Sequence, residues 1–191
     1  MIEKYGKIGG ILAAILLVVG CSDLRLVPAY DPEIETGLNA YHVEVLDFIS
    51  TMETSRASLK GSYKGETVSA YYAASNAALG NLVVQAEASE PDATCGQTRL
   101  SRLGLAGLGQ RTEELANDLG NVLGSDLVPD GDEIARGSCT VITLRVLQAN
   151  HKSMQDLHRI EGRLVPPTST ITRDLLNDSV RIALTTEKAK K

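Results

Sequence analysis

Histidine and methionine are the residues whose types and spacing come nearest to chemistry. His151 and His158 stand seven apart with Met154 between them, and His42 lies beside the apolar seam of an earlier segment. Imidazole and thioether are ligands for the softer metals, so His42, His151, Met154 and His158 are the candidates for a site between facing helices. Metal-holding bundles usually bring inward carboxylates and a Glu three residues before each His. Here Gln148 and Gln155 occupy those places. The expectation is no metal and no other cofactor, with the histidines satisfied or partly exposed in a helix interface.

Other chemistry is thinner still. Gly104-Leu105-Ala106-Gly107-Leu108-Gly109 has the glycine density of a phosphate loop, but no strand pattern precedes it and no Lys-Ser/Thr closes it. A helix break or a close helix contact is the simpler reading. Asp130-Gly131-Asp132-Glu133 could attract calcium, yet it lacks the alternating ligands and closing Glu of an EF-hand and reads as a solvated turn. No HExxH, GxSxG elbow or compact Ser/His/Asp order is present, so no catalytic residue is assigned and the chain reads as a non-enzyme.

The elements that would position these residues are helices. Asp31-Pro32-Glu33 is a helix start, with an N-cap Asp, Pro at the first position and an acid in the first turn. Apolar residues then fall at Ile34, Leu38, Tyr41, Val45, Phe48 and Met52, in steps of four and three. That is the seam of a helix packed nearly parallel to its neighbours. Gly61 to Gly65 breaks it. Val68, Tyr72, Ser75, Leu79, Leu82 and Ala86 repeat the pattern, with Ala70, Ala73, Ala74, Ala77 and Ala78 around them as small side chains for close helix approach. Ser89 to Asp92 ends this second helix, and the two predict an antiparallel hairpin.

From Cys95 to Gly124 the pattern weakens. Leu100, Leu103 and Leu108 suggest one piece, and Leu115, Leu119 and Val122 another, with glycines between them that each cost about 1 kcal/mol in a helix interior. One weak helix or two remain open, followed by a loop from Ser125 to Ser138. A firm helix then places Leu144, Leu147, His151, Met154 and His158 on one stripe before Gly162, Pro166 and Pro167 stop it. The last begins near Ser169 and carries Ile171, Leu175, Val180 and Leu184. The fold class is all-α: a largely antiparallel bundle of four or five helices.

Composition narrows the functions. The chain has 191 residues, a net charge of −5, 23% charged and 4% aromatic residues, and a pI near 5.2. This suits one globular domain and is not the profile of a nucleic-acid-binding protein. Residues 31–60 are acidic, whereas 139–163 are basic, with Arg145, Lys152 and Arg159 recurring every seven residues. Such a row is a solvated face or attracts an adjacent helix; its functional alternative is a docking surface for an acidic partner or lipid head groups.

The N-terminus is an address. Lys4 and Lys7 make a basic zone, Ile8 to Val19 is apolar apart from two glycines, and Leu17-Val18-Val19-Gly20-Cys21 follows. An apolar core of about 12 residues suits a signal peptide, while a spanning helix needs about 20. This segment resembles the lipobox of bacterial lipoproteins. The resemblance implies that residues 1–20 are removed and that Cys21 is lipidated on its sulfur and its freed amine, which gives stable membrane anchoring. Ser22 in place of Asp favours sorting to the outer membrane. With Cys21 so used, Cys95 and Cys139 remain as a pair in an oxidising compartment, with spacing that fits neither a zinc motif nor CxxC, and a structural disulfide is expected. The terminal Ala189-Lys190-Lys191 resembles the end of murein-linked lipoproteins of the Braun type, though only the ends correspond.

The expected organisation is a signal peptide at 1–20, a lipidated Cys21 and tether at 21–30, and a disulfide-stapled bundle at 31–191. The expected role is a non-catalytic accessory or structural interaction module of the bacterial cell envelope. It would be held by the lipid on Cys21 to the outer membrane, face the periplasm and meet an envelope protein partner. The alternatives are a small-ligand or metal-binding bundle, with His42, His151 and His158 facing an internal pocket, and a murein-tethered spacer.

Overall fold

The computed structural model describes residues 29–55, 57–91, 93–95 and 136–191. The signal segment, Cys21 and most of the tether lie outside them. So do the third segment from residue 96, its glycines and the Asp130–Glu133 loop.

Helix α1 runs Pro32–Thr54. Asp31 caps it by accepting from the Glu33 amide at 2.9 Å, and Pro32 takes the first helical position, where no amide hydrogen is needed. A 3-10 turn, Leu59–Gly61, leads to α2, Glu66–Ser89. Helix α3, Cys139–Glu161, starts with the Ser138 hydroxyl accepting from the Val141 amide at 3.2 Å. It stops at Gly162, whose φ of 70° lies in the left-handed region that glycine enters without a Cβ clash. Helix α4 is Thr168–Lys188. At about 1.5 Å per residue the four are closely matched in length, which lets them bury one continuous core.

The helices form an antiparallel square in which each packs chiefly on its two neighbours: α1 on α2, α2 on α3, α3 on α4 and α4 on α1. At one end the two helix turns meet, through an isolated Ser62–Arg163 bridge and the Tyr63 amide donating to the Gly162 carbonyl at 3.0 Å. At the other end the Cys95–Cys139 disulfide, with Cα atoms 4.6 Å apart, joins the chain after α2 to the start of α3. The expected staple is present. Among the described residues the bundle has four helices and no strand.

Every position of the α1 and α2 seams is buried, as is the α3 stripe. The seams are wider than the heptad reading allows, since Ile49 and Val83 are buried as well. At Gly37 of α1 the space for a side chain is already filled by α2, since a Cβ there would stand 2.6 Å from Leu82 Cδ2. The alanine expectation is overturned. Ala70, Ala73, Ala74, Ala77 and Ala78 are all exposed, so the close approach uses a glycine of α1 and not the alanines of α2. Ile171, expected on the inner stripe of α4, is 50% exposed, and Leu176 and Ala183 fill the interior in its stead.

Candidate functional site

The heptad spacing of His151 and His158 puts both rings on the inward face of α3, and both are fully buried. Each meets a tyrosine from a different helix. His151 Nδ1 lies 2.9 Å from Tyr41 Oη of α1, and His158 Nδ1 lies 3.0 Å from Tyr72 Oη of α2. His158 Nε2 is 3.3 Å from the Gly61 carbonyl. A carbonyl only accepts, so Nε2 carries the proton and Nδ1 accepts from the Tyr72 hydroxyl. His151 Nε2 is buried without a protein partner. Phe48, Tyr63 and Tyr71 close around these pairs, with Phe48 stacked on Tyr71 at 3.6 Å between centroids. The chain's single Phe and four of its six Tyr thus gather around two of its three His.

Burial sets the protonation of this cluster. Desolvation lowers His151 from 6.5 to about 4, and lowers His158 against a smaller opposing pull from the Gly61 carbonyl. The same desolvation raises Tyr41, Tyr71 and Tyr72, reinforced for Tyr41 and Tyr72 by their phenol neighbours. At neutral pH the cluster is therefore an uncharged set of interhelical hydrogen bonds. Chemically it fixes the register of α3 against α1 and α2.

His42 is elsewhere. It faces α4, its Nε2 donating to Asn177 Oδ1 at 2.7 Å, at the edge of an open groove of about 410 Å³ whose floor includes Val180 and Leu184. Two ion pairs, Arg181–Asp178 and Lys188–Glu35, flank this groove. The expectation that His42, His151 and His158 would share one internal pocket is thus corrected: His42 sits beside the α1 seam and so turns towards α4. Met154 is a fully buried core residue between the two inward histidines. Among the described residues no group of three or more His, Cys, Asp or Glu side chains is placed to hold a metal ion.

A second polar centre was not anticipated. Lys190 bridges Glu90, at the end of α2, and Glu187 of α4, the latter at 2.6 Å. All three side chains are buried. Glu187 also accepts from the Asp31 amide at 2.6 Å and from the Thr140 hydroxyl at 3.1 Å. Beside it Glu35 accepts from Tyr30 and pairs with Lys188 and Lys191, and these hydrogen bonds, Tyr30's first, hold its carboxyl at about 2. Lys191 in turn sits over the Tyr30 ring at 4.3 Å. One cluster thus ties all four helices together at the cystine end. The only sequence hint was the i,i+3 spacing of Glu187 and Lys190; Glu90 lies 100 residues away.

The basic row of α3 is matched by acids. Arg145 pairs with Glu87 of α2 at 2.6 Å, while Lys152 and Arg159 both reach Asp156 of their own helix. The outward face of α2 is different in kind. No charged residue occurs between Thr67 and Ala86, and that face carries the exposed alanines together with Asn81 and Val84, which is 64% exposed.

Fold and interior together define a disulfide-stapled antiparallel four-helix bundle with a neutral Tyr–His core and an ionic cluster at one end. No protein-family model, curated protein or solved structure matches the chain.

Proposed function

We propose that the chain is a lipid-anchored protein of the bacterial envelope, acylated at Cys21, whose bundle serves as a non-catalytic accessory or structural interaction module. The observation that carries this reading is Leu17-Val18-Val19-Gly20-Cys21 after a basic and then an apolar zone. Ser22 directs it to the outer membrane, facing the periplasm. A disulfide within the bundle suits an oxidising compartment. The tether would join the bundle at Asp31, on the cystine end. The murein-spacer alternative gains nothing from this geometry, because Lys191 meets Tyr30 at that same end and the two are not held apart.

Metabolic labelling with an alkyne fatty acid tests the anchor. The wild-type protein is expected to take up label and to fractionate with membranes, and Cys21→Ser to lose both properties. An unlabelled wild type overturns the reading. Photo-crosslinkers at Ala74 and Val84 on the uncharged α2 face, against a control at Lys152, test the interaction module in intact cells. A distinct adduct is expected from the α2 positions, and equal or absent crosslinking from all three counts against a partner on that face.

A further inference from the structure

We propose that His151 and His158 form an acid-operated latch: their protonation parts α3 from the α1–α2 hairpin in the half of the bundle farther from the cystine, while the cystine end stays closed. The proposal goes beyond the anchoring reading and does not depend on it.

The geometry carries it. Both rings are fully buried, and each is a buried polar link from α3 to another helix, to Tyr41 on α1 and Tyr72 on α2. A second proton on His158 turns its Nδ1 from an acceptor into a donor, and a second proton on His151 puts N–H on both nitrogens, although Nε2 is buried without a protein partner. The Tyr72 hydroxyl, which now donates to His158, would lose its acceptor, and its oxygen would have to accept in return. The added charge would have no counter-ion at hand. From α1 the cluster is faced by Tyr41 and Phe48, with Glu44 acting only on Tyr71. The turn presents Tyr63 and the Gly61 carbonyl, and α2 presents Tyr71 and Tyr72. On α3 itself, buried Asp156 is held by Lys152 and Arg159 and its charge reaches Tyr72, but it does not hydrogen-bond His158. On α4, Arg173 pairs with Glu53 and Arg181 with Asp178, while Asp174 is exposed. No carboxylate hydrogen-bonds either imidazole among these contacts.

The sign follows from linkage. An opened histidine takes its proton near 6.5, whereas closed His151 takes it only near 4, so every proton bound in that interval favours the open form. The contribution of neutral His151 to closure is complete above about 6.5 and is lost progressively as pH falls towards 4. Opening is polarised because α3 itself meets α1 and α2 in the far half through neutral bonds, with Arg173–Glu53 joining α4 to α1 and Arg163 held to the Ser58 carbonyl beyond the helix end, whereas the cystine end has Cys95–Cys139 and the Glu90–Lys190–Glu187 ion pairs.

The test uses the full chain in detergent micelles, from pH 7.5 to 3.5. Near-UV tyrosine signals should collapse and binding of a hydrophobic dye should rise several-fold, reversibly, with a midpoint between about 4 and 6.5. Histidine ring-proton shifts in the wild type should titrate in step with that opening. Amide exchange should become fast at Asp156–Ile160 while Val141–Leu144 stays protected. His151→Gln with His158→Gln, which hydrogen-bonds but does not ionise, should move the midpoint down by at least one pH unit. A wild type closed at pH 4, ring shifts out of step with opening, or a folded double variant with an unmoved midpoint would each overturn the latch. Simultaneous loss of protection at both ends of α3 would overturn its polarity.

Discussion

Glu90, Glu187 and Lys190 are buried as an ion-paired group at the cystine end, whereas His151 and His158 are buried as neutral rings farther along the same bundle. The ionic group holds chain ends: the start of α1 through the Asp31 amide, the end of α2 through Glu90, the start of α3 through Thr140 and the end of α4 through Lys190. Of the neutral pairs, Tyr41–His151 holds helix middles, and Tyr72–His158 joins the second turn of α2 to the last turn of α3. Fraying is greatest at helix ends, where backbone groups lack partners, so charge-assisted bonds there secure what would otherwise open first. Along the middle, desolvating an unpaired charge would cost more than the bond returns, and uncharged donors and acceptors suffice.

The comparison can be broken most forcefully at the disulfide. Closing a loop of 44 residues contributes about 4 kcal/mol in the chain-entropy picture, so reduction should lower the melting temperature by several degrees. It should do so without changing the histidine ring environments at neutral pH. A reduced protein with unaltered stability would remove the cystine from the account. Next comes Lys190→Met, which leaves two buried carboxylates facing each other without their cation. A loss of about 3 kcal/mol is expected in denaturant titration. Equal stability would show that the ion pairs are incidental. The smallest effect belongs to the neutral core: Tyr41→Phe removes one hydrogen bond and keeps the ring, costing about 1–2 kcal/mol. That loss should be insensitive to salt, unlike the Lys190 effect, because no charge is involved.

The sequence foretold the inward seams of α1, α2 and α3 nearly residue by residue, since burying an apolar stripe on a helix leaves a three-four period that a reader can recover. It misassigned the alanines of α2, because a small side chain is compatible equally with a tight interface and with solvent. Composition alone does not separate the two. Ile171 failed for a related reason: one apolar residue in step with a stripe can still sit at its edge. The histidines were recognised as interface residues, but their tyrosine partners lie 110 and 86 residues away, and such pairing is a property of helix order in space. A buried tyrosine does need a partner for its hydroxyl, and two seam tyrosines facing a stripe with two histidines was the available clue. Lys190 carried no expectation of burial, because its partner Glu90 belongs to another helix.

The proposed tether at Asp31 would also have a mechanical side. Tension transmitted through the residues before it would arrive first at the Asp31–Glu187 bond and at the contacts of Tyr30 with Glu35 and Lys191. Beyond them, α1 runs lengthwise between α2 and α4, with Gly37 seated under Leu82. Pulling along that axis cannot peel the contacts apart one at a time. It must slide the whole of α1 past both neighbours, straining the buried side chains from Ile34 to Met52 together. A bundle tethered in this way would resist a steady pull in shear.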